Sequence, residues 1–198
     1  MFFQLRPPLC ALCVLRGEVF PAPHLLPPDS SPGPAAPSTP RGIFGPPYRL
    51  VTAATRRLCE AVRATRPGRP VKFVLMNTTG NRNRDLDEKA SWAQRCAIGL
   101  ICVLVPPQAN NEQAAEYLRR GVGPDDPAIQ WVVVRPDTLI NQDNVTVHDV
   151  HPSPTRCPVF DPGKTSRINV AHFMAELIDN AETWGRWAGR MPVIYNRT

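Results

Sequence analysis

Val71-Lys-Phe-Val-Leu-Met-Asn-Thr-Thr-Gly80 decides the fold. Its first six residues are a short apolar run rich in strand-forming side chains, bounded by Arg66-Pro67-Gly68 before and a polar loop, Asn77 to Asp87, after. That is the pattern of a strand buried on both faces. A second run, Ile129-Gln-Trp-Val-Val-Val134, has the same character and passes into Arg135-Pro-Asp-Thr138. Both strands therefore end in polar residues.

Helical patterns lie around them. Val51, Ala54, Leu58 and Ala61/Val62 recur at three- and four-residue spacing and predict one apolar helix face, with Pro46-Pro47 as the opening. Trp92, Cys96, Gly99/Leu100 and Val103 predict a second helix, stopped by Pro106-Pro107. Asn110 or Asn111 is placed to cap a third, carrying Ala114/Ala115 and Leu118, before a turn over Gly121 to Pro127. Asn169 is placed to cap a last helix with Val170, Phe173/Met174 and Leu177/Ile178 on one face. Val145 to Val150 reads as a short edge strand and Pro192 to Tyr195 as a closing one; Trp184 and Trp187 pack a terminal helix. Helices alternating with buried strands predict an α/β fold, a partial doubly wound parallel, Rossmann-like sheet.

Composition bounds the rest. The chain has 198 residues, 42% hydrophobic and 20% charged, which fits one soluble domain with an appendage. Ten of the 24 prolines fall in residues 1–40, and Ser30 to Pro40 is a Pro/Ser/Ala run that cannot build a core. Residues 1–40 are read as a disordered tail, a folded N-terminal strand being the lesser alternative, and 41–198 as the domain. The net charge of +6 comes almost wholly from scattered arginines. A nucleic-acid footprint would gather them into a stripe, so no nucleic-acid partner is expected, and the charge suits an anionic cofactor. The longest apolar stretch, Cys96 to Val105, is half of the roughly 20 residues a membrane span needs. No membrane partner is expected, and the cysteine usage points to a reducing, cytoplasmic setting, with an organellar transit peptide left open.

Other motifs read as ordinary. Cys10-Ala-Leu-Cys13 has no second ligand pair, so no metal site is expected. His148, His151 and His172 have too few carboxylates nearby, and His172 reads as a hydrogen-bonded structural histidine. Asp161-Pro-Gly-Lys-Thr-Ser166 ends like a P-loop, but Pro158 stands where its first glycine belongs. It reads as a surface turn whose Lys164 can contact a phosphate or acidic group.

In an open α/β sheet, ligands lie outside the carboxyl ends of the strands. Asn77, Thr78, Thr79 and Gly80 end one strand and Pro136, Asp137, Thr138 and Leu139 follow the other. Each segment alone suits a plain turn equally well. Together, in this order, they resemble atypical short-chain dehydrogenases/reductases. Val71 to Gly80 is similar to the fifth strand and following serine/threonine of that family, and Asn111 to Leu118 with Trp131 to Pro136 to its next helix and strand. Ser166-Arg-Ile-Asn-Val-Ala-His-Phe-Met174 is similar to the late helix start of NmrA-like and NAD-dependent epimerase/dehydratase-like members.

The resemblance implies a Rossmann fold, a nucleotide cofactor (NADP or NAD, the arginine surplus favouring NADP) and hydride transfer on a small-molecule carbonyl substrate. It implies that Thr78 and Thr79 face the nicotinamide or substrate as the catalytic hydroxyls. Asn77, Gly80, Pro136, Asp137, Thr138 and Leu139 would line the cofactor. Two departures stand out. No G-x-G-x-x-G follows a strand, Gly42-Ile-Phe-Gly45 being the nearest approach, so the chain reads as lacking the N-terminal half of such a domain. No tyrosine has a lysine four residues on, and Gln108 and Glu112 occupy the two positions of the family's Tyr-x-x-x-Lys pair. The alternative is therefore a catalytically inactive module that senses a nucleotide or binds a protein; its truncated sheet would expose an edge that invites a homo-oligomer.

Overall fold

The computed structural model describes residues 13–16, 49–86, 106–157 and 160–197. The helix expected over Trp92 to Val103 lies outside these residues, as do Pro46-Pro47, the expected opening of the first helix, and most of the segment read as a tail. Within that segment, Cys13–Arg16 forms strand β1, the lesser of the two alternatives for it.

Helix α1 spans Leu50–Thr65. It ends where Arg66 turns left-handed at φ 48°, before Pro67 can block further helix. Strand β2, Val71–Met76, follows. Helix α2 covers Pro106–Glu116 and widens into a π-helical turn, Tyr117–Val122. Then come β3, Ile129–Pro136, β4, Thr138–Ile140, β5, His148–His151, and β6, Lys164–Ser166. Helices α3, Arg167–Asp179, and α4, Ala181–Trp187, precede β7, Val193–Asn196.

The main sheet has the order β1-β2-β3-β7-β5. Its three central strands are parallel, and the two edge strands run antiparallel to them. The expected parallel α/β sheet is present, and β5 is the expected edge strand, starting three residues later than its alternating pattern. The pair β4-β6 forms a separate two-stranded parallel ribbon. Lys164–Ser166, read as a surface turn, is thus a strand, held in place by Thr165 Oγ1 donating to the Ile194 carbonyl (2.6 Å).

Among the described residues each face of the sheet carries two helices, the sandwich that parallel strands require. On one side Cys59 and Val62 of α1 and Ala114, Ala115 and Leu118 of α2 and its π turn pack on Phe73, Leu75, Trp131 and Val133. On the other, Val170, Phe173, Met174 and Leu177 of α3 and Trp184 and Trp187 of α4 cover Val74, Val132, Val134 and Ile194. Burying each valine, leucine, isoleucine, phenylalanine or methionine among them contributes about 1.5–3 kcal/mol.

Three local expectations are corrected. The buried face of α1 is Thr52, Thr55, Cys59 and Val62, with Ala54 and Ala61 exposed. The threonines turn inward because Thr52 has partners there: its hydroxyl donates to the Asn110 carbonyl (2.9 Å) and its amide to Asn110 Oδ1 (3.0 Å). Asn110 therefore lies inside α2 and binds α1, because the helix already begins at Pro106, a position that proline favours. Ser166, not Asn169, caps α3, accepting the Asn169 amide at 3.2 Å. The Asn169 side chain instead donates to Thr146 Oγ1 and Asn196 Oδ1, tying the approach to β5 to the end of β7.

Candidate functional site

The two segments singled out in the sequence meet at the carboxyl ends of β2 and β3. The Asn77 amide donates to the Val134 carbonyl (2.8 Å) and the Thr79 amide to the Pro136 carbonyl (3.1 Å). The parallel ladder thus continues past the end of β2. Asn77 is buried: its Nδ2 donates to the Asn111 carbonyl (2.8 Å), and its Oδ1 accepts from the Thr78 amide and from Asn81 Nδ2. Asn77 accordingly fixes the loop to α2. Thr78 is half-buried, with its Oγ1 accepting the Gly80 amide, whereas Thr79 is only 3% exposed.

At the end of β3 Pro136 is buried and Asp137, just beyond it, half-buried; on β4 Thr138 is exposed and Leu139 half-buried. Leu139 packs against the apolar cluster under α3 and α4. Lys164 is exposed and stands directly opposite Thr138 across the β4-β6 ribbon. The structure thus brings Thr78, Thr79, Pro136, Asp137 and Thr138 to one strand-end region, with Lys164 at its rim, and turns Leu139 toward the core.

Arg135 holds this region together. It is fully buried, its Nε donating to the Met191 carbonyl (2.8 Å) and its Nη1 to the Asn81 carbonyl (2.8 Å). One guanidinium thereby clamps the 77–83 loop to the start of β7. Charge-assisted bonds of this kind are about twice as strong as neutral ones.

The registers reveal a residue that the sequence reading missed. Met76 lies opposite Val134 and Pro136 opposite Ile194. Counting on places Thr79 beside Asp137 and Asp137 beside Tyr195, three polar side chains in a row across three parallel strands. Burial pushes the Asp137 carboxyl above its ordinary value, although the Gly163 amide donates to Oδ2 at 3.0 Å. Burial, and then the Asp137 charge, likewise raise the Tyr195 hydroxyl. Thr79 Oγ1 lies near the Asp137 carboxylate and Tyr195 Oη near the Thr155 and Arg156 amides, and among the described residues neither reaches full hydrogen-bond geometry. Gly163 is required here, since a Cβ at that position would overlap the Tyr195 ring. The glycine lets a tyrosine lie against the Asp137 loop.

Elsewhere the motifs stay apart. His148 and His172 meet edge to face, ring centres 5.9 Å apart, and His172 is exposed rather than part of the core. Glu112 pairs with Arg84 at 3.4 Å on an exposed face. Among the described residues, no three His, Cys, Asp or Glu side chains gather as metal ligands, and no helix is long and apolar enough to cross a membrane.

A mostly parallel sheet with helices on both faces and a polar layer at its strand ends defines part of a Rossmann-type nucleotide-binding fold. Solved structures agree. The chain is similar to an NAD-dependent epimerase/dehydratase from Bacillus halodurans, at 18% identity and a TM-score of 0.50, over 82% of this chain and 62% of that one. It is similar to a short-chain dehydrogenase/reductase from Veillonella parvula, at 12% identity and a TM-score of 0.50, over 73% and 58%. A second Veillonella parvula short-chain dehydrogenase/reductase, solved in complex with NADP, matches at 12% identity with a TM-score of 0.42, over 61% and 48%. The chain spans about three-fifths of the first two structures. No protein-family model matches the sequence, and no curated protein does. The chain shares the fold of these first two proteins over part of their length.

Proposed function

We propose that this chain carries the nicotinamide- and substrate-facing part of an NAD(P)-dependent oxidoreductase site. The observation that carries this reading is the joining of the two strand ends, through Thr79 N–H and the Pro136 carbonyl, at the place where open α/β sheets bind their ligands. Of the two threonines expected as catalytic hydroxyls, half-buried Thr78 acts on the substrate side and Thr79, 3% exposed, acts behind it. Asn77 and Gly80 shape the loop for close approach, and the backbone of Pro136, Asp137 and Thr138 flanks the nicotinamide. Leu139 supports that strand from the core. The cofactor is NADP or NAD, with exposed Lys164 beside Thr138 available to an anionic group of cofactor or substrate. The reaction is hydride transfer between the nicotinamide and a small carbonyl compound.

The test is NADPH or NADH oxidation by the full chain with a panel of small aldehydes and ketones, followed by loss of nicotinamide absorbance. Carbonyl-dependent oxidation is expected. If the cofactor survives with every substrate, the enzymatic reading fails.

A second reading rests on the absent tyrosine–lysine pair: Glu112, at one of its two positions, is engaged with Arg84 on an exposed face. In that reading the fold binds a nucleotide or a protein partner without turnover. Nucleotide binding measured calorimetrically, in the absence of any oxidation, would support it.

A further inference from the structure

Thr79, Asp137 and Tyr195 occupy neighbouring register positions at the carboxyl ends of three parallel strands. Their exposures set their roles. Thr79 is 3% and Tyr195 7% exposed, and among the described residues neither hydroxyl has a partner in full hydrogen-bond geometry. Asp137, between them, is only half-buried and so is the member of the row that a ligand can touch. Buried hydroxyls without well-formed hydrogen bonds are rare in folded proteins.

We propose that Asp137 is the proton donor of the carbonyl reduction, in place of the absent tyrosine–lysine pair, with Thr79 and Tyr195 as its positioning residues. This rests on the oxidoreductase reading above. A bound NAD(P)H would supply the hydride taken up by the substrate carbonyl carbon, leaving as NAD(P)+. The carbonyl π pair moves to oxygen, which takes the proton of the Asp137 carboxylic acid and gives the alcohol. Asp137 is left as carboxylate, receives the Gly163 amide hydrogen bond, and recovers its proton from solvent. The oxidative direction reverses each step.

Among the described residues, the charged and titratable groups facing Asp137 are Arg156, whose charge lowers it, and Tyr195. The Gly163 and Thr138 amides and the Thr79 hydroxyl also favour the carboxylate, and burial outweighs them all. The acid form is therefore held to a higher pH than in an ordinary aspartate.

The sign of the pH dependence follows. Reduction needs the protonated acid, so kcat/KM falls as pH rises through the Asp137 pKa. Thr79→Val removes a group that favours the carboxylate, so the falling limb moves to higher pH. Tyr195→Phe keeps the ring against Gly163, so it separates the hydroxyl's part from packing.

The experiment compares the full wild-type chain with Asp137→Asn, Thr79→Val and Tyr195→Phe. Its readouts are pH-resolved NADPH oxidation with the carbonyl panel and a 13C titration of the Asp137 carboxyl. We expect Asp137→Asn to lose at least 100-fold in kcat/KM, the scale of a positioned acid–base group. We expect the wild-type carboxyl to titrate above an ordinary aspartate, and higher still in Thr79→Val. Wild-type turnover that survives in Asp137→Asn overturns this assignment and leaves the oxidoreductase reading intact. An Asp137 carboxyl that titrates as in a peptide overturns the assignment with or without turnover. Absence of wild-type turnover overturns the oxidoreductase reading, and the assignment with it.

Discussion

The same three parallel strands are two different materials along their length. Below, Phe73 and Leu75 of β2 and Trp131 and Val133 of β3 are apolar and closed under α1 and α2. Above, the matching positions become Asn77 and Thr79, then Arg135 and Asp137, and on β7 Tyr195. The register does not change at the boundary; the chemistry does. The lower part obeys packing rules, under which every lost atom costs stability. The upper part keeps polar groups only partly satisfied, which folding alone gives no reason to do.

That contrast can be broken at its strongest points first. Phe73→Ala should cost about 3–5 kcal/mol in urea unfolding, as a fully buried aromatic deleted from a core should. Arg135→Ala should cost a similar roughly 3–5 kcal/mol, since it leaves the Asn81 and Met191 carbonyls without their charged donor at the boundary. A loss below about 1 kcal/mol would mean that the upper layer is not clamped to the lower.

Asp126→Ala sharpens the comparison at the far end of the same strand. Its Oδ1 accepts the Ala128 and Ile129 amides and its Oδ2 the Arg63 guanidinium (2.6 Å), so that β3 starts in a fixed place against α1. Although burial pushes this carboxyl up, the Arg63 and amide bonds outweigh it and hold the pKa below the ordinary value. Its contribution is thus present above the unfolded pKa and lost as pH falls through the lower folded one. Removal should cost about 2 kcal/mol at neutral pH and progressively less in acid, measured by urea midpoints across pH.

The smallest effects separate the two materials most cleanly. Thr79→Val and Tyr195→Phe each remove a buried hydroxyl that has no well-formed hydrogen bond among the described residues. Each should leave stability within about 1 kcal/mol of wild type, on the stabilising side. A loss of 2 kcal/mol or more from either would show that its hydroxyl is structural.

Much of this was legible in the sequence, and the failures have physical causes. The strands β2, β3 and β7 announced themselves because double burial demands unbroken apolar runs. The inward face of α1 did not, since Thr52 counts as polar until Asn110 is known to meet it. The ribbon β4-β6 has three residues a side, too short for any period to show. The strand-end loops were visible as a pair, but Tyr195 was hidden in a closing run that read as a plain strand. Residues 79, 137 and 195 are evenly spaced, yet that spacing has meaning only once three strands are aligned in parallel.

The most direct test of the strand-end site is a 1H–15N spectrum of the full chain titrated with NADPH. The account predicts shifts concentrated at the amides of Asn77, Thr78, Thr79, Gly80, Asp137 and Thr138, with β1 and the lower core of the sheet unmoved. Shifts confined to other surfaces, or none at saturating cofactor, would contradict it.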